Sequence, residues 1–279
     1  MRLINVILCL LAALLMLSIN SQAADNFKPF HPPGKFINLG MHVMYVECLG
    51  DKSPTVLIDV DLADSSANWY KVVQQLSENV RTCIYDRAGY GWSDPGPGER
   101  TTTQIVHELN MLLETAHIPA PYVMVGHSFG GFTARYFATR YPNKTAGAVL
   151  IDSSHPEQIY RLSELDNPEN KKPMQISRRE PPPAYMNEFE KRWYFLNSSR
   201  KATFAQMDEL KSFKKSAEQV KHAGPFPDIP LAILSRGKSL LPIINGVQLE
   251  HEWRNMQKDL LRLSNQSWHT IIEKSGHNI

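Results

Sequence analysis

The sequence lacks a dominant charge of one sign, internal repeats and low-complexity tracts. Its 30 lysine and arginine residues nearly balance its 28 aspartate and glutamate residues. The basic segment Lys211–Lys215 is typical of a solvated helix face and not of a nucleic-acid or membrane surface. We therefore expect no nucleic-acid partner, while the oligomeric state stays open. The composition suits a single large α/β domain with an insertion.

Cysteine is also scarce, with three residues in 279. Cys9 lies in an apolar N-terminal run, and the spacing of the three cysteines offers no zinc site. Cys48 and Cys83 lie in apolar strand-like runs, where a free cysteine packs as a small hydrophobic residue. We expect two buried thiols here. A disulfide bond is the alternative, because export of the protein would permit it.

The longest apolar run, from Ile4 to Leu17, is shorter than the roughly 20 residues that span a bilayer. It follows Met1-Arg2 and precedes Ser21-Gln22-Ala23-Ala24, where small residues stand at cleavage-type positions. This pattern predicts a secretory signal peptide over residues 1–24, with an uncleaved anchor as the alternative. We expect a secreted or periplasmic domain over residues 25–279, with no membrane span after signal removal.

Strand-like and helix-like runs alternate along the rest of the chain. The first two strand-like runs are joined by Leu39-Gly40 and predict an antiparallel hairpin. Later runs, such as Thr55–Val60, are continuously apolar, as in strands covered on both faces. The alternation predicts a mostly parallel, doubly wound α/β sheet with right-handed crossovers. The charged, proline-rich residues from about 157 to 227 predict a helical cap or lid inserted over one edge of the sheet.

The segment Gly126-His127-Ser128-Phe129-Gly130-Gly131 lies between an apolar strand-like run and a helix-like run. This is the pattern of a nucleophile elbow, a sharp strand-to-helix turn that exposes a strained serine. Glycines stand two residues before and two residues after Ser128, where a side chain would collide with the neighbouring strand or helix. The pattern predicts Ser128 as a nucleophile at a helix N-terminus, which favours developing negative charge.

Two further residues have positions that suit the same chemistry. Active groups in open parallel sheets gather at the carboxyl ends of the strands. Asp152 directly follows the strand-like run that ends at Ile151, and His277 lies in the loop after the last one. We therefore expect His277 to reach back across the sheet toward Ser128.

Four stretches together resemble the α/β-hydrolase fold family, in the order that the family has them. The family includes esterases, lipases and proline-iminopeptidase-like enzymes. The matching stretches are Tyr85-Asp86-Arg87-Ala88-Gly89-Tyr90-Gly91-Trp92-Ser93-Asp94, Val125-Gly126-His127-Ser128-Phe129-Gly130-Gly131, Leu150-Ile151-Asp152-Ser153-Ser154-His155-Pro156-Glu157-Gln158 and Ser275-Gly276-His277-Asn278-Ile279. They span the chain after the signal peptide except the predicted lid. The resemblance also implies that Asp86 and Arg87 brace a loop beside the elbow.

The resemblance implies a catalytic triad of Ser128, Asp152 and His277, in the family's order. His277 would take the proton from the Ser128 hydroxyl, because an imidazole accepts protons near neutral pH. Asp152 would hold the imidazole in the required tautomer. Many relatives place this acid where the present chain has Ser235–Lys238, which contains no carboxylate, so Asp152 is assigned by elimination and by analogy with lipases. The alternative is that Asp152 merely caps a loop.

The resemblance further implies an oxyanion hole made by the backbone N–H groups of Leu62 and Phe129. Relatives usually have glycines in the first of these loops, whereas this chain has Asp61, Ala63 and Asp64. Carboxylates that point inward would oppose the negative charge of an oxyanion. Carboxylates that point outward would leave the backbone donors available.

A closing helix, which follows the histidine in relatives, is missing after Ile279. We expect the apolar back of the last strand to be exposed and the His277 loop to be poorly held. The sequence as a whole predicts an exported serine hydrolase of a small carboxylic ester, with an amide or peptide as the second choice and with no cofactor or metal. The alternative is a non-catalytic binding protein or degenerate enzyme on the same scaffold.

Overall fold

The alternating apolar runs form the strands of a single sheet in the computed structural model, which describes residues 32–163, 186, 188–239 and 246–278. Eight strands are found within these residues. They are β1 (Lys35–Asn38), β2 (Val43–Leu49), β3 (Thr55–Asp59), β4 (Thr82–Tyr85), β5 (Tyr122–His127), β6 (Thr145–Ile151), β7 (Leu231–Arg236) and β8 (Ser267–Ile272). The compact unit that contains them runs from Gly34 to Ile279.

The strand order across the sheet is β1-β2-β4-β3-β5-β6-β7-β8. β2 is antiparallel to β1 and to β4, as the predicted hairpin requires, and every pairing from β4 to β8 is parallel. The predicted fold class, a mostly parallel α/β sheet, is therefore confirmed. Because the strands from β3 onward are parallel, their carboxyl ends meet at one edge.

Seven α-helices connect or flank the strands in the described residues. They are α1 (Tyr70–Ser77), α2 (Thr102–Thr115), α3 (Gly130–Arg140), α4 (Gln158–Ser163), α5 (Glu188–Asn197), α6 (Arg200–Lys221) and α7 (Gly246–Asp259). The hydroxyl of Thr101 caps α2 by accepting a hydrogen bond from the Gln104 N–H group, as its sequence predicts. Among these helices none combines the length and the hydropathy that a bilayer crossing requires.

Side-chain alternation along the strands divides the core into two layers. Leu57 and Met124 pack on one face with the apolar residues of α2 and α3. Their chain neighbours Ile58 and Val125 pack on the other face with Val73 of α1. Successive residues of a strand point to opposite faces, so a continuously apolar strand requires cover on both sides. This explains why the sheet is doubly wound.

Helices α4, α5 and α6 follow β6 and precede β7, within the segment predicted to form the lid. α6 packs on α2 and α3, where Phe213 contacts the buried Phe129 and Phe132. The boundaries of the predicted lid stay a prediction. Residues 164–185 of that segment and the predicted signal peptide lie outside the described residues.

Cys48 and Cys83 form a disulfide bond, so the expectation of two free thiols was wrong. The reason is the register of the sheet. β2 pairs with β4 so that Cys48 lies directly opposite Cys83, with their Cα atoms 4.0 Å apart. Local sequence showed two strands but not that these strands are neighbours.

The last strand, β8, lies at the edge of the sheet, and its Trp268 and Ile271 side chains are 53% and 37% exposed. The expected exposure of this strand is confirmed. The expectation of a poorly held histidine loop was wrong. The backbone N–H groups of Gly237 and Lys238 donate to the Ser275 carbonyl at 3.2 and 3.0 Å, which fixes the loop to the end of β7.

Candidate active site

The turn at Ser128 has the strained geometry that its glycines predict. Ser128 has φ +50°, a left-handed conformation that a non-glycine residue rarely adopts. A Cβ atom at Gly126 would lie 2.4 Å from the Gly130 carbonyl oxygen, and one at Gly130 would lie 2.3 Å from the Asp59 carbonyl oxygen. Only glycine fits at both positions, because the helix start packs directly against the strand. Ser128 is thereby held at the carboxyl edge of the sheet.

Asp152 and His277, which lie 125 residues apart in sequence, are in direct contact at this edge. His277 Nδ1 lies 2.5 Å from Asp152 Oδ2. Asp152 is fully buried and has φ +40°, so it occupies a tight turn at the end of β6. Burial opposes its ionisation, but the hydrogen bond with His277 and the charge of Arg236 outweigh this and lower the pKa of Asp152. Asp152 is therefore a carboxylate at neutral pH.

Two residues that sequence reasoning missed hold this carboxylate. Trp253 Nε1 donates to Asp152 Oδ1 at 2.8 Å, and Arg236 Nη1 donates to Asp152 Oδ2 at 2.6 Å. Arg236 also pairs with the buried Glu250, at 3.0 Å. Arg236 stands in the segment where many relatives carry the acid. The structure thus has a cation there that supports the carboxylate of the neighbouring strand.

Asp61, in the loop after β3, points into the site. Its Oδ2 lies 3.2 Å from His277 Nε2. Its Oδ1 accepts a hydrogen bond from the Leu62 N–H group at 2.6 Å. The N–H group predicted as an oxyanion donor is therefore engaged by a carboxylate. The carboxylate of Asp61 therefore points inward, which is the orientation expected to oppose an oxyanion.

Asp64, the second acidic residue of the same loop, takes the outward alternative. Its Oδ2 accepts hydrogen bonds from Trp69 Nε1 and Asn68 Nδ2, both at 3.2 Å. Phe129, the other predicted oxyanion donor, is buried and is the residue that immediately precedes α3. The oxyanion hole of Leu62 and Phe129 stays a prediction. A carboxylate fills one half.

The two carboxylates change the protonation of His277. Burial opposes its positive charge, but hydrogen bonds with Asp152 and Asp61 outweigh burial and raise the pKa of His277 to about 9. Burial also opposes the ionisation of Asp61, but its hydrogen bond with His277 outweighs burial and lowers the pKa of Asp61. In this state His277 is an imidazolium at neutral pH, with one carboxylate at each ring nitrogen.

His127 lies beside His277, which the sequence did not indicate. Its Nε2 lies 2.9 Å from the His277 carbonyl oxygen, and the two ring centroids are 4.8 Å apart. Burial lowers the pKa of His127, so its ring is neutral and donates to that carbonyl. His127 therefore supports the histidine loop.

Among the described residues, Asp61, His127 and His277 form a group whose potential ligand atoms lie within 4.8 Å of one another. A tetrahedral metal with bonds near 2.1 Å would need its ligand atoms about 3.4 Å apart. The group would have to contract and release the contacts described above. We therefore interpret it as a hydrogen-bonded cluster.

Asp86 and Arg87 brace loops, as the resemblance implies. Asp86 accepts from the backbone N–H groups of Ser66 and Trp92, at 2.7 and 2.8 Å. Arg87 donates to the carbonyl oxygens of Val60 and Asp61, at 2.7 and 2.9 Å. Arg87 therefore fixes the backbone of the loop that carries Asp61.

A cavity of about 160 Å³ lies beside the cluster. His127 and Asn278, the chain neighbours of Ser128 and His277, form part of its wall. The complete lining is Asp64, Asn68, Trp69, Val72, His127 and Asn278. Its small size and mixed polarity suit a small molecule with one apolar part.

Comparison with known proteins agrees with this architecture. The model of the family described as alpha/beta hydrolase fold matches residues 54–175. The YqjL protein of Bacillus subtilis (strain 168) is 28% identical over 230 residues, which cover 82% of this chain and 79% of YqjL. Other curated relatives are matched over smaller shares, 28% and 21% of their own lengths.

Solved structures show the same fold at low sequence identity. A putative lipase from Acinetobacter baumannii AYE superposes with a TM-score of 0.64 at 21% identity, covering 88% of this chain and 84% of the lipase. The enol-lactonase from Burkholderia xenovorans LB400 gives 0.61 at 16% identity, covering 87% and 93%. The match of residues 54–175 and the shared fold of these structures support the α/β-hydrolase fold family for this chain, and the fold supports a hydrolase. The catalytic roles of Ser128, Asp152 and His277 stay predictions.

Proposed function

We propose that this chain is an exported serine hydrolase that cleaves a small carboxylic ester through an acyl-enzyme on Ser128. One observation carries the proposal. Beside the strained Ser128 turn, His277 Nδ1 lies 2.5 Å from the buried carboxylate of Asp152. This contact fixes the tautomer in which Nε2 is the proton acceptor, once the imidazole is neutral.

The reaction follows from these groups. Ser128 Oγ attacks the ester carbonyl carbon while its proton passes to His277 Nε2. The resulting oxyanion collapses, the alkoxy group leaves, and His277 returns the proton to the leaving alcohol. Water then attacks the acyl-enzyme with His277 as base, which releases the acid and restores Ser128. Asp152 stabilises the imidazolium in both halves of the reaction.

The reaction requires the Asp61 side chain to move away from His277 and Leu62. In the described state its carboxylate contacts His277 Nε2 and the Leu62 N–H group. Displacement of this one side chain by the substrate would free the base and an oxyanion donor together. The backbone N–H groups of Leu62 and Phe129 would then face the oxyanion.

Export is part of the proposal, and two features support it. Residues 1–24 carry the pattern of a signal peptide. The Cys48–Cys83 disulfide bond suits an oxidising compartment, because thiols in the cytosol are generally kept reduced. Expression of the full chain and of a chain without residues 1–24, followed by cell fractionation, tests this part. Equal retention of both forms in the cytosol would contradict it.

A second candidate function is a binding protein on a hydrolase scaffold. The observation that favours it is Asp61, because a carboxylate held by the Leu62 N–H group competes with an oxyanion. Such a protein would bind a ligand near the cavity without turnover. The labelling experiment below separates the two candidates.

A fluorophosphonate probe and short p-nitrophenyl esters test the enzyme hypothesis. We expect the purified protein to be labelled and to turn over the esters, and we expect both signals to vanish in Ser128→Ala and His277→Ala. Asp152→Asn should lower kcat by about 10⁴-fold, because it favours the wrong imidazole tautomer. Ser77→Ala, a half-buried serine on α1, is the matched control. A folded wild-type protein with neither label nor turnover would favour the binding function.

A further inference from the structure

A second cavity, of about 260 Å³, lies outside the proposed active site. It is bounded by α3, the loop after β6, the end of α6 and the segment after α7. The residues that line it are Arg135, His155, Pro156, Glu157, Lys221, Asp259 and Arg262. None of these residues has a role in the proposed hydrolase mechanism.

Arg135 gives this cavity an uncompensated positive charge. Its Nε and Nη1 atoms are inaccessible to solvent and have no hydrogen-bond partner. No carboxylate among the described residues forms an ion pair with it. Burial alone, without an offsetting carboxylate, lowers the pKa of Arg135 to about 10. Arg135 is half-buried and still charged at neutral pH, and inaccessible donors of a charged group that have no partner are costly to a fold.

The buried arginines of the described chain, Arg87, Arg100 and Arg236, all form ion pairs. Arg87 pairs with Asp59 and Glu209, and Arg100 pairs with Glu108, each within 2.9 Å. Arg236 is shared between two carboxylates in the site described above. Arg135, on α3, has no such carboxylate partner among the described residues. The pattern therefore indicates that its counter-ion comes from outside the described residues.

The two acidic residues of the cavity do not provide that counter-ion, because other cations engage them. Glu157 accepts from Lys221 Nζ at 3.1 Å. Asp259 accepts from Arg161 Nη1 at 2.6 Å and lies 3.5 Å from Arg262 Nη1. The cations of these pairs, Lys221 and Arg262, also line the cavity.

His155 supplies a further donor. Burial and the charges of Arg135 and Arg161 lower its pKa to about 4, so the ring is neutral. Its Nδ1 accepts a hydrogen bond from the Glu157 N–H group at 3.2 Å. A neutral ring with Nδ1 as acceptor carries its proton on Nε2. The cavity thus combines a guanidinium, an imidazole N–H group, an ammonium group and a second guanidinium.

We propose that this cavity binds a small oxyanion, a phosphate or sulfate group or a carboxylate, with Arg135 as its principal partner. An arginine with donors in a partly closed cavity binds such groups by charge-assisted hydrogen bonds. The anion would join α3, which begins at the Ser128 turn, to the end of α6 and to the segment after α7. It would neutralise the one charge that the described fold leaves unpaired there.

Isothermal titration calorimetry of the purified protein with phosphate, sulfate and acetate at constant ionic strength tests the proposal. We expect saturable binding of at least one of these anions and a Tm that rises with its concentration. A preference for phosphate or sulfate identifies a tetrahedral ligand, and a preference for acetate a carboxylate. Absence of saturable binding of all three would overturn the proposal.

Two variants locate the site. Arg135→Gln should weaken binding at least about tenfold, since a hydrogen bond to a charged group contributes about 1.5–3 kcal/mol. Arg140→Gln, an exposed arginine on the same helix, is the matched control and should bind like the wild type. Unchanged binding in Arg135→Gln would overturn the proposal.

Two more variants keep the test decisive. If Arg135→Gln does not fold, Lys221→Ala combined with Arg262→Ala should weaken binding several-fold, because it removes the other two cations of the cavity. Unchanged binding in this variant would again overturn the proposal. Ser128→Ala should bind the anion like the wild type, so that failure of the hydrolase proposal and failure of this one are distinguishable.

Discussion

Asp61 distinguishes this site from a Ser-Asp-His triad, because it places a second carboxylate beside His277. It contacts both the proposed base and a backbone donor of the oxyanion hole. With the pKa of His277 raised to about 9, only about 1% of this imidazole is neutral at pH 7. The base is therefore stabilised in the form that cannot accept a proton. In the proposed mechanism, Asp61 would therefore hold the site in a resting state until the substrate displaces it.

Asp61→Asn should shift the pH dependence of ester turnover. Turnover needs neutral His277, so the wild-type rate should rise with pH to a midpoint near 9. Removing one of two carboxylates lowers the pKa of His277 toward its ordinary value of about 6.5. We expect the midpoint of kcat/KM to fall by about one unit, with an increase of up to tenfold at pH 7. The measurement is a pH–rate profile with p-nitrophenyl acetate.

Asp64→Asn is the matched control for this shift, because Asp64 lies in the same loop but bonds to Asn68 and Trp69. Its midpoint should stay at the wild-type value. A lower kcat/KM at every pH in Asp61→Asn would show that Asp61 assists the reaction, and would contradict the resting-state interpretation.

The sequence was sufficient for Ser128 and His277 as candidates, because the glycines of the turn and the loop after the last strand are local features. Asp152 was reached by elimination and by resemblance. Arg236, Trp253 and the contact between His127 and His277 could not be predicted. Their roles depend on which strands are neighbours and on where side chains point after folding. The inward direction of Asp61 is a property of the same kind.

Helix α6 is tied to the sheet by a buried ion pair. Glu209 on α6 accepts from Arg87 Nε at 2.9 Å and from the Tyr90 hydroxyl at 2.8 Å. Arg87 also donates to the Asp59 carboxylate and to the carbonyl oxygens of Val60 and Asp61. One guanidinium thus connects the helix to the loop that carries Asp61. Movement of α6 and the geometry of the oxyanion loop are therefore expected to be coupled.

Glu209→Gln should destabilise the protein by roughly 3–5 kcal/mol, because it leaves Arg87 with one partner fewer inside the fold. Asp208→Asn, the neighbouring residue with a 51% exposed side chain, is the control and should change the free energy of unfolding little. Urea denaturation of both variants measures the difference. Equal stability of the two would show that the buried pair does not hold α6.

The helices and strands themselves were largely predictable from the sequence, whereas the pairing of strands within the sheet was not. The continuously apolar run Thr55–Val60 predicted a strand covered on both faces, and the structure has β3 over Thr55–Asp59 between the two core layers. The β2–β4 pairing is different, because 32 residues separate the end of β2 from the start of β4. Only the fold brings Cys48 opposite Cys83.

In the molecule as a whole, the disulfide bond connects the antiparallel hairpin to the parallel part of the sheet. Within the part of the chain that the structure describes, β1 and β2 join the remaining strands only through the β2–β4 pairing. The bond between Cys48 and Cys83 closes a separation of 35 residues in sequence. It therefore restricts the unfolded chain over the segment that contains β3, α1 and the Asp61 loop.

Reduction of this bond should lower the free energy of unfolding by about 4 kcal/mol, the chain-entropy value for a loop of this length. Urea denaturation with and without reductant measures the change, and the Cys48→Ala, Cys83→Ala double variant should match the reduced wild type. Reductant should not affect that variant, since it has no bond to break. Coincident transitions for the oxidised and reduced wild type would mean that the sheet holds the hairpin without the covalent link. The loop that carries Asp61 would then owe its position to non-covalent contacts, such as those of Arg87 and Asp86.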